Sequence, residues 1–101
     1  MKDADLYGGL IRLHILYHAS REPVFGLGII EELGRHGYKL SAGTLYPMLH
    51  SMEDAGYLRS RSRNVNGKIR RNYLITAKGR VALAAAKDKV RELFGELFEE
   101  N

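Results

Sequence analysis

The chain has 101 residues, is 45 % apolar and carries a formal net charge of +4. That length suits one packed core, and the apolar share is too high for a disordered segment. The absence of cysteine excludes disulfides, thiolate metal sites and cysteine nucleophiles, and no stretch approaches the ~18 apolar residues of a membrane span.

The first predicted element runs from Leu6 to His18. Leu6, Leu10, Leu13 and Tyr17 recur at spacings of 4, 3 and 4, which is one face of a helix. Ile11 and Ile15 widen that face and Leu16 lies further round, so a well-buried helix is expected. Ser20 to Pro23 breaks it, because a proline disfavours helix in the residue before it. A second helix is predicted over Val24–His36, with Ile29, Ile30 and Leu33 inward and Gly37 as its stop. A third occupies residues 41 to 56. Its inner stripe is Leu45, Leu49 and Met52, extended by Met48 and Ala55 and ended by Gly56. Either Ser41 or Thr44 could be its N-cap. Pro47 favours Thr44, which would put the proline in the first turn, where its missing N–H costs nothing.

After Gly56 the period changes to two. LRSRSRNV leads to Asn66-Gly67, and KIRRNYLIT follows, which predicts a two-stranded hairpin with Asn66-Gly67 at its tip. Thr76 can cap a last helix from Ala77 to about Glu99. There Leu83, Ala86, Val90, Leu93 and Leu97 follow a 3, 4, 3, 4 spacing flanked by Phe94 and Phe98. Helix, helix, helix, basic hairpin, helix is the winged helix-turn-helix layout, mainly α with a small β-hairpin. It assigns a DNA-binding unit to residues 1–76 and a C-terminal dimerisation helix to 77–101, within one compact body.

Charge is concentrated in the hairpin. Leu58 to Lys87 contains nine basic residues and no acid, whereas Asp88 to the end contains five acids and two bases. Clustered arginines gain by displacing counterions from a phosphate backbone, and arginine meets phosphate bidentately. Arg61, Arg63 and Arg70, with Gly67 and Lys68 at the tip, are therefore candidate contacts to double-stranded DNA. The alternative is a charged hairpin whose role is to prevent edge aggregation. The third helix turns Thr44, Tyr46, Pro47, His50 and Ser51 away from its inner stripe. Ser41, Thr44 and Tyr46 can donate to phosphate oxygens and His50 can reach a base edge. Glu53 and Asp54 at the far end would repel DNA, so the helix should enter the major groove by its N-terminal part. Alternatively it is an ordinary amphipathic helix with a mixed surface.

The final helix carries Leu83, Val90, Leu93, Phe94, Leu97 and Phe98, a stripe too wide for so small a core to cover. A homodimer would bury it and set two recognition helices about 34 Å apart. The other option is that the stripe packs within its own chain. His14 and His18 are spaced i, i+4, which can hold a metal, but the sequence shows no third ligand beside them. They are read as surface or partly buried histidines, with no metal and no cofactor. Paired catalytic carboxylates, a phosphate-cradling glycine loop and a nucleophile motif are all missing, so no enzyme is expected. The alternative functions are a non-specific architectural DNA-binding protein and a protein-interaction winged helix.

Three segments carry a family resemblance: PVFGLGIIEEL at 23–33, SAGTLYPMLHSMEDAGYL at 41–58 and RRNYLITAKGRVAL at 70–83. Together they resemble the PadR family of bacterial and archaeal transcription regulators, over about Leu10 to Leu83. The resemblance implies a repressor that dimerises through its terminal helices and binds a palindromic operator. It also implies DNA contacts at Ser41, Thr44, Tyr46 and Pro47 and at the wing tip, Gly67 and Lys68. The single final helix resembles the family's short branch. Some short members place a tryptophan at the dimer interface to stack a flat drug; this chain has no tryptophan, and a small-molecule effector is left open. With no leader-like apolar run at its start, the expected location is the cytoplasm.

Overall fold

Pro23 does more than separate two helices: it starts a strand. In the computed structural model, which describes residues 1–99, α1 (Asp3–Arg21) is followed by β1 (Val24–Phe25) and α2 (Gly26–Arg35). Then come α3 (Ala42–Asp54), β2 (Leu58–Val65), β3 (Lys68–Ile75) and α4 (Ala77–Phe98). Glu100 and Asn101, the end of the C-terminal unit and the last of its five acids, lie outside the described residues. Val24 pairs antiparallel with Tyr73 and Phe25 with Asn72, so the sheet has three strands in the order β1-β3-β2. The expected hairpin tipped by Asn66-Gly67 is present and gains β1 as a third strand, whereas the helix expected from Val24 begins only at Gly26. Val and Phe favour extended backbone, and β3 offers them a free edge.

The first helix is also longer and differently oriented than its pattern indicates. Its core face is Ile11, Ile15, Leu16 and Ala19. Leu6, Leu10 and Tyr17, from the stripe expected to be inward, are exposed, and Leu13 is half-buried. These helices close on a core that includes Ile29, Leu33, Leu45, Met48, Leu49 and Met52. Leu58, Tyr73 and Ile75 of the sheet complete it. Ala55, expected to extend the α3 stripe, is exposed.

Ser41, not Thr44, caps α3. Its hydroxyl oxygen accepts from the Thr44 N–H at 3.3 Å. Pro47 consequently lies beyond the first turn, and the Gly43 carbonyl has no helical donor. Gly43 is exposed, so water can take that role and the loss is small. At the hairpin tip, Asn66 (φ 53°) and Gly67 (φ 80°) both occupy left-handed backbone, as a type I′ turn requires. The Asn64 side-chain oxygen accepts from the Gly67 N–H at 3.1 Å and pins the turn.

The start of α4 is joined to the end of α3. Thr76 caps α4 by accepting from the Gly79 N–H, and its own hydroxyl donates to the Gly56 carbonyl at 2.6 Å. Lys78 Nζ donates to the Ala55 carbonyl at 2.7 Å, a cation placed on the negative end of α3. Gly79 is buried so tightly that a Cβ there would overlap the Tyr57 carbonyl oxygen. Beyond Leu83, which packs partly on the core, α4 lies against α1 and leaves its later apolar side chains in solvent. Among the described residues, no helix is long and apolar enough to cross a membrane.

Candidate nucleic-acid interface

Burying Leu45, Met48, Leu49 and Met52 turns the other side of α3 outward. Ser41, Tyr46, Pro47 and His50 are exposed along that side, with Ser51 beside them, and Thr44 is half-buried. These six predicted positions therefore lie outside the buried stripe, with Thr44 at its edge. Tyr46 has a second role that the sequence did not reveal. A Cβ at Gly26 would overlap its ring and hydroxyl, so the start of α2 packs directly on Tyr46 and needs glycine there. This contact lets the start of α2 approach α3 closely.

The hairpin register sorts its cations by face, because directly paired residues lie on the same side of a sheet. Arg59, Arg61 and Arg63 are paired with Leu74, Asn72 and Arg70, and Val65 with Lys68. Arg59, Arg61, Arg63, Lys68 and Arg70 thus share one face, and Phe25 joins them there through its pairing with Asn72. The Arg70 guanidinium lies 4.0 Å from the Phe25 ring centroid, which orients it. The opposite face carries Ser60, Ser62, Asn64, Ile69 and Arg71, and it merges with the core at Tyr73 and Ile75. Arg71 was not singled out in the sequence, although the Asn-Gly turn fixes the register that places it. Gly67 and Lys68 are exposed at the tip. Among the described residues, none of these six hairpin cations is ion-paired.

Glu53 ties α3 to this hairpin. Its carboxylate accepts from both the backbone N–H of Ser60, at 2.8 Å, and the Ser60 hydroxyl, at 2.6 Å. Beyond the charge it places at this end of the helix, Glu53 is thus a strut between the helix and the base of the wing. Asp54 remains exposed.

The surface formed by α1 and α4 has a different character. Val90, Leu93, Phe94, Leu97 and Phe98 of α4 are 44–68 % exposed, and Leu6, Leu10 and Tyr17 of α1 add to them. A groove of about 810 Å³ runs between the two helices, lined by Leu10, Leu13, Tyr17, Leu83, Val90 and Phe94 among others. His14, His18 and His36 belong to its wall. The sequence showed no third donor beside His14 and His18; folding brings His36 to them, with all three donor atoms within 4.8 Å of one another. Glu32 joins this group, its Oε1 lying 3.4 Å from His18 Nε2 and 3.6 Å from His36 Nε2. Burial, followed by the neighbouring His36 and His18, holds His14 below the usual histidine value and favours its neutral form. Glu32 is held below the usual carboxylate value, chiefly by its hydrogen bond from Arg35.

Residues 15–85 match the Transcriptional regulator PadR-like family. The chain is 47 % identical over 87 residues to Transcriptional regulator Rv3488 of Mycobacterium tuberculosis, covering 86 % of this chain and 81 % of that one. A PadR family transcriptional regulator from Eggerthella lenta superposes with a TM-score of 0.81 at 31 % identity, over 96 % of this chain and 88 % of its own. A PadR-like transcriptional regulator from Bacillus cereus does so with a TM-score of 0.80 at 27 % identity, over 96 % and 99 %.

Proposed function

Because the chain belongs to the PadR-like family of transcriptional regulators, we propose that it is a cytoplasmic, sequence-specific repressor that binds a palindromic operator as a homodimer. Residues 1–76 bind DNA in this reading and 77–101 dimerise, and the chain acts by binding rather than by turnover. The observation that carries it is the joined pair of surfaces at α3 and the hairpin. A helix face bearing Ser41, Tyr46, Pro47 and His50, with Thr44 half-buried at its edge, is fastened through Glu53 to a ribbon whose six exposed cations form no ion pair among the described residues. The helix offers donors and an imidazole to base edges and phosphates. The ribbon supplies counterion release, with Arg61, Arg63, Lys68 and Arg70 along the backbone and Gly67 allowing close approach at the tip.

Dimerisation is supported by the α4 stripe. Val90, Leu93, Phe94, Leu97 and Phe98 are too exposed for a solitary domain. Each such side chain contributes roughly 1.5–3 kcal/mol when covered. Leu83 stands at the inner end of the stripe and is shared with the chain's own core.

The test is titration of the purified protein against genomic fragments selected by binding and against random duplex. A regulator prefers its selected fragments by about 10³-fold or more, and its affinity falls steeply with salt. Equal affinity for both DNAs would leave the architectural alternative standing. Binding without salt dependence, or none, would remove DNA from the account.

A further inference from the structure

Two helical couples face each other across the α1–α2 contact. His14 and His18 are one turn apart on α1, and Glu32 and His36 are one turn apart on α2 and its C-cap. We propose that His14, His18, His36 and Glu32 form a binding site for a late first-row divalent cation of the zinc class.

The spacing fits such an ion. With Zn–N distances of about 2.0–2.1 Å, neighbouring donors in a tetrahedral site stand roughly 3.3 Å apart. The histidine donors lie within 4.8 Å of one another, so small side-chain rotations close them on a common centre. Glu32 Oε1, 3.4 and 3.6 Å from two of the imidazole nitrogens, is already at that separation. Those distances are too long for good hydrogen bonds. In agreement, His18 Nε2 is buried and has no hydrogen-bond partner among the described residues, an arrangement folded proteins seldom tolerate without a reason.

An aromatic cluster with one ion pair is the plainer reading. It accounts for the stacking of His14 on His36, at 4.6 Å between ring centroids, and for a contact of His18 with Glu32, but leaves the His18 nitrogen without a well-formed hydrogen bond. The donor set is nitrogen and carboxylate with no thiolate, which suits zinc and its neighbours rather than Ca²⁺ or Cu(I). Support for the carboxylate is also in place. Arg35 donates to Glu32 Oε2 from Nε at 3.0 Å and from a terminal nitrogen at 2.6 Å, which holds Oε1 toward the histidines. Arg35 is thus a positioning residue.

A bound ion would clamp α1, which walls the apolar groove, to the first helix of the helix-turn-helix. Any effect on operator affinity rests on the DNA reading above, whereas the site itself does not. Binding is therefore measured without DNA, on untagged full-length protein, by titrating Zn²⁺ against a chromophoric chelator and by the visible spectrum with Co²⁺. Expected are one ion per chain and the absorption of a tetrahedral cobalt site. His18→Ala and His36→Ala each weaken affinity by more than about 100-fold, beyond the cost of losing an outer partner, and Arg35→Ala weakens it by about tenfold. His36 is exposed at a helix end, so its variant keeps the fold if His18→Ala does not. Zn²⁺ also raises the melting temperature of wild type but not of His36→Ala. No stoichiometric binding by wild type, or wild-type affinity in His36→Ala, overturns the site. Separately, DNA binding in excess chelator tests the regulator reading: its failure beside intact metal binding overturns that reading alone.

Discussion

The two exposed sides of this molecule break opposite rules. The hairpin presents cations that form no ion pair among the described residues, beside the polar outer face of α3, whereas α1 and α4 present large apolar side chains without cover. A solitary soluble domain needs neither. Each excess selects its own kind of partner: a polyanion can neutralise the first, and an apolar surface such as a second copy can cover the second. The lesson lies in the junction between them. Thr76 and Lys78 bond the end of α3, and Glu53 bonds the hairpin, so the two surfaces are braced to one short segment of chain.

The contrast predicts effects that separate by surface. The largest is expected from Leu93→Asp with Leu97→Asp. Four side chains leave a symmetric interface, a loss of about 6 kcal/mol or more, or on the order of 10⁴-fold in dimer affinity. Light scattering should show monomers; persistent dimers would place the interface elsewhere and break the contrast. Next is the triple change Arg61→Ala, Arg63→Ala and Lys68→Ala. It should leave the oligomer intact and lower the slope of log K against log salt by about 0.9 per lost phosphate contact, for all sequences alike. Repeating the measurement with Arg71→Ala sharpens the picture, since that residue alone among the hairpin cations lies on the Ser60 face. An unchanged slope in the triple variant would show that the ribbon does not touch DNA. The smallest effect is on the brace itself. Glu53→Ala leaves two donors of Ser60 without an acceptor and should cost about 1–3 kcal/mol in urea unfolding. Stability equal to wild type would mean that helix and hairpin are not held by this pair.

Much of the fold was legible because its signals are local. Asn66-Gly67 demands left-handed backbone at both positions and fixes the hairpin register, and Thr76 with Gly79 writes the start of α4. What escaped depends on partners distant in sequence. A two-residue strand at Val24 exists only because the edge of β3 is there to receive it. Pro47 argued for a Thr44 cap, but an exposed Gly43 carbonyl makes the Ser41 cap inexpensive. Leu6, Leu10 and Tyr17 read as core because they match a helical period; the period cannot say which of two apolar faces belongs to the chain's own core. The outward positions of α3 were visible from its inner stripe, whereas Tyr46 packing on Gly26 and the arrival of His36 beside His14 required the tertiary arrangement.

Gly79 has a mechanical consequence. It seats the first turn of α4 on the Tyr57 carbonyl with no side chain between them, which makes the spot a fulcrum. The helix beyond is a lever roughly 29 Å long, so tilting it by roughly 5° moves its tip by about 2.5 Å. A methyl group at the pivot would thus be magnified along the arm, altering the spacing of anything the far end carries.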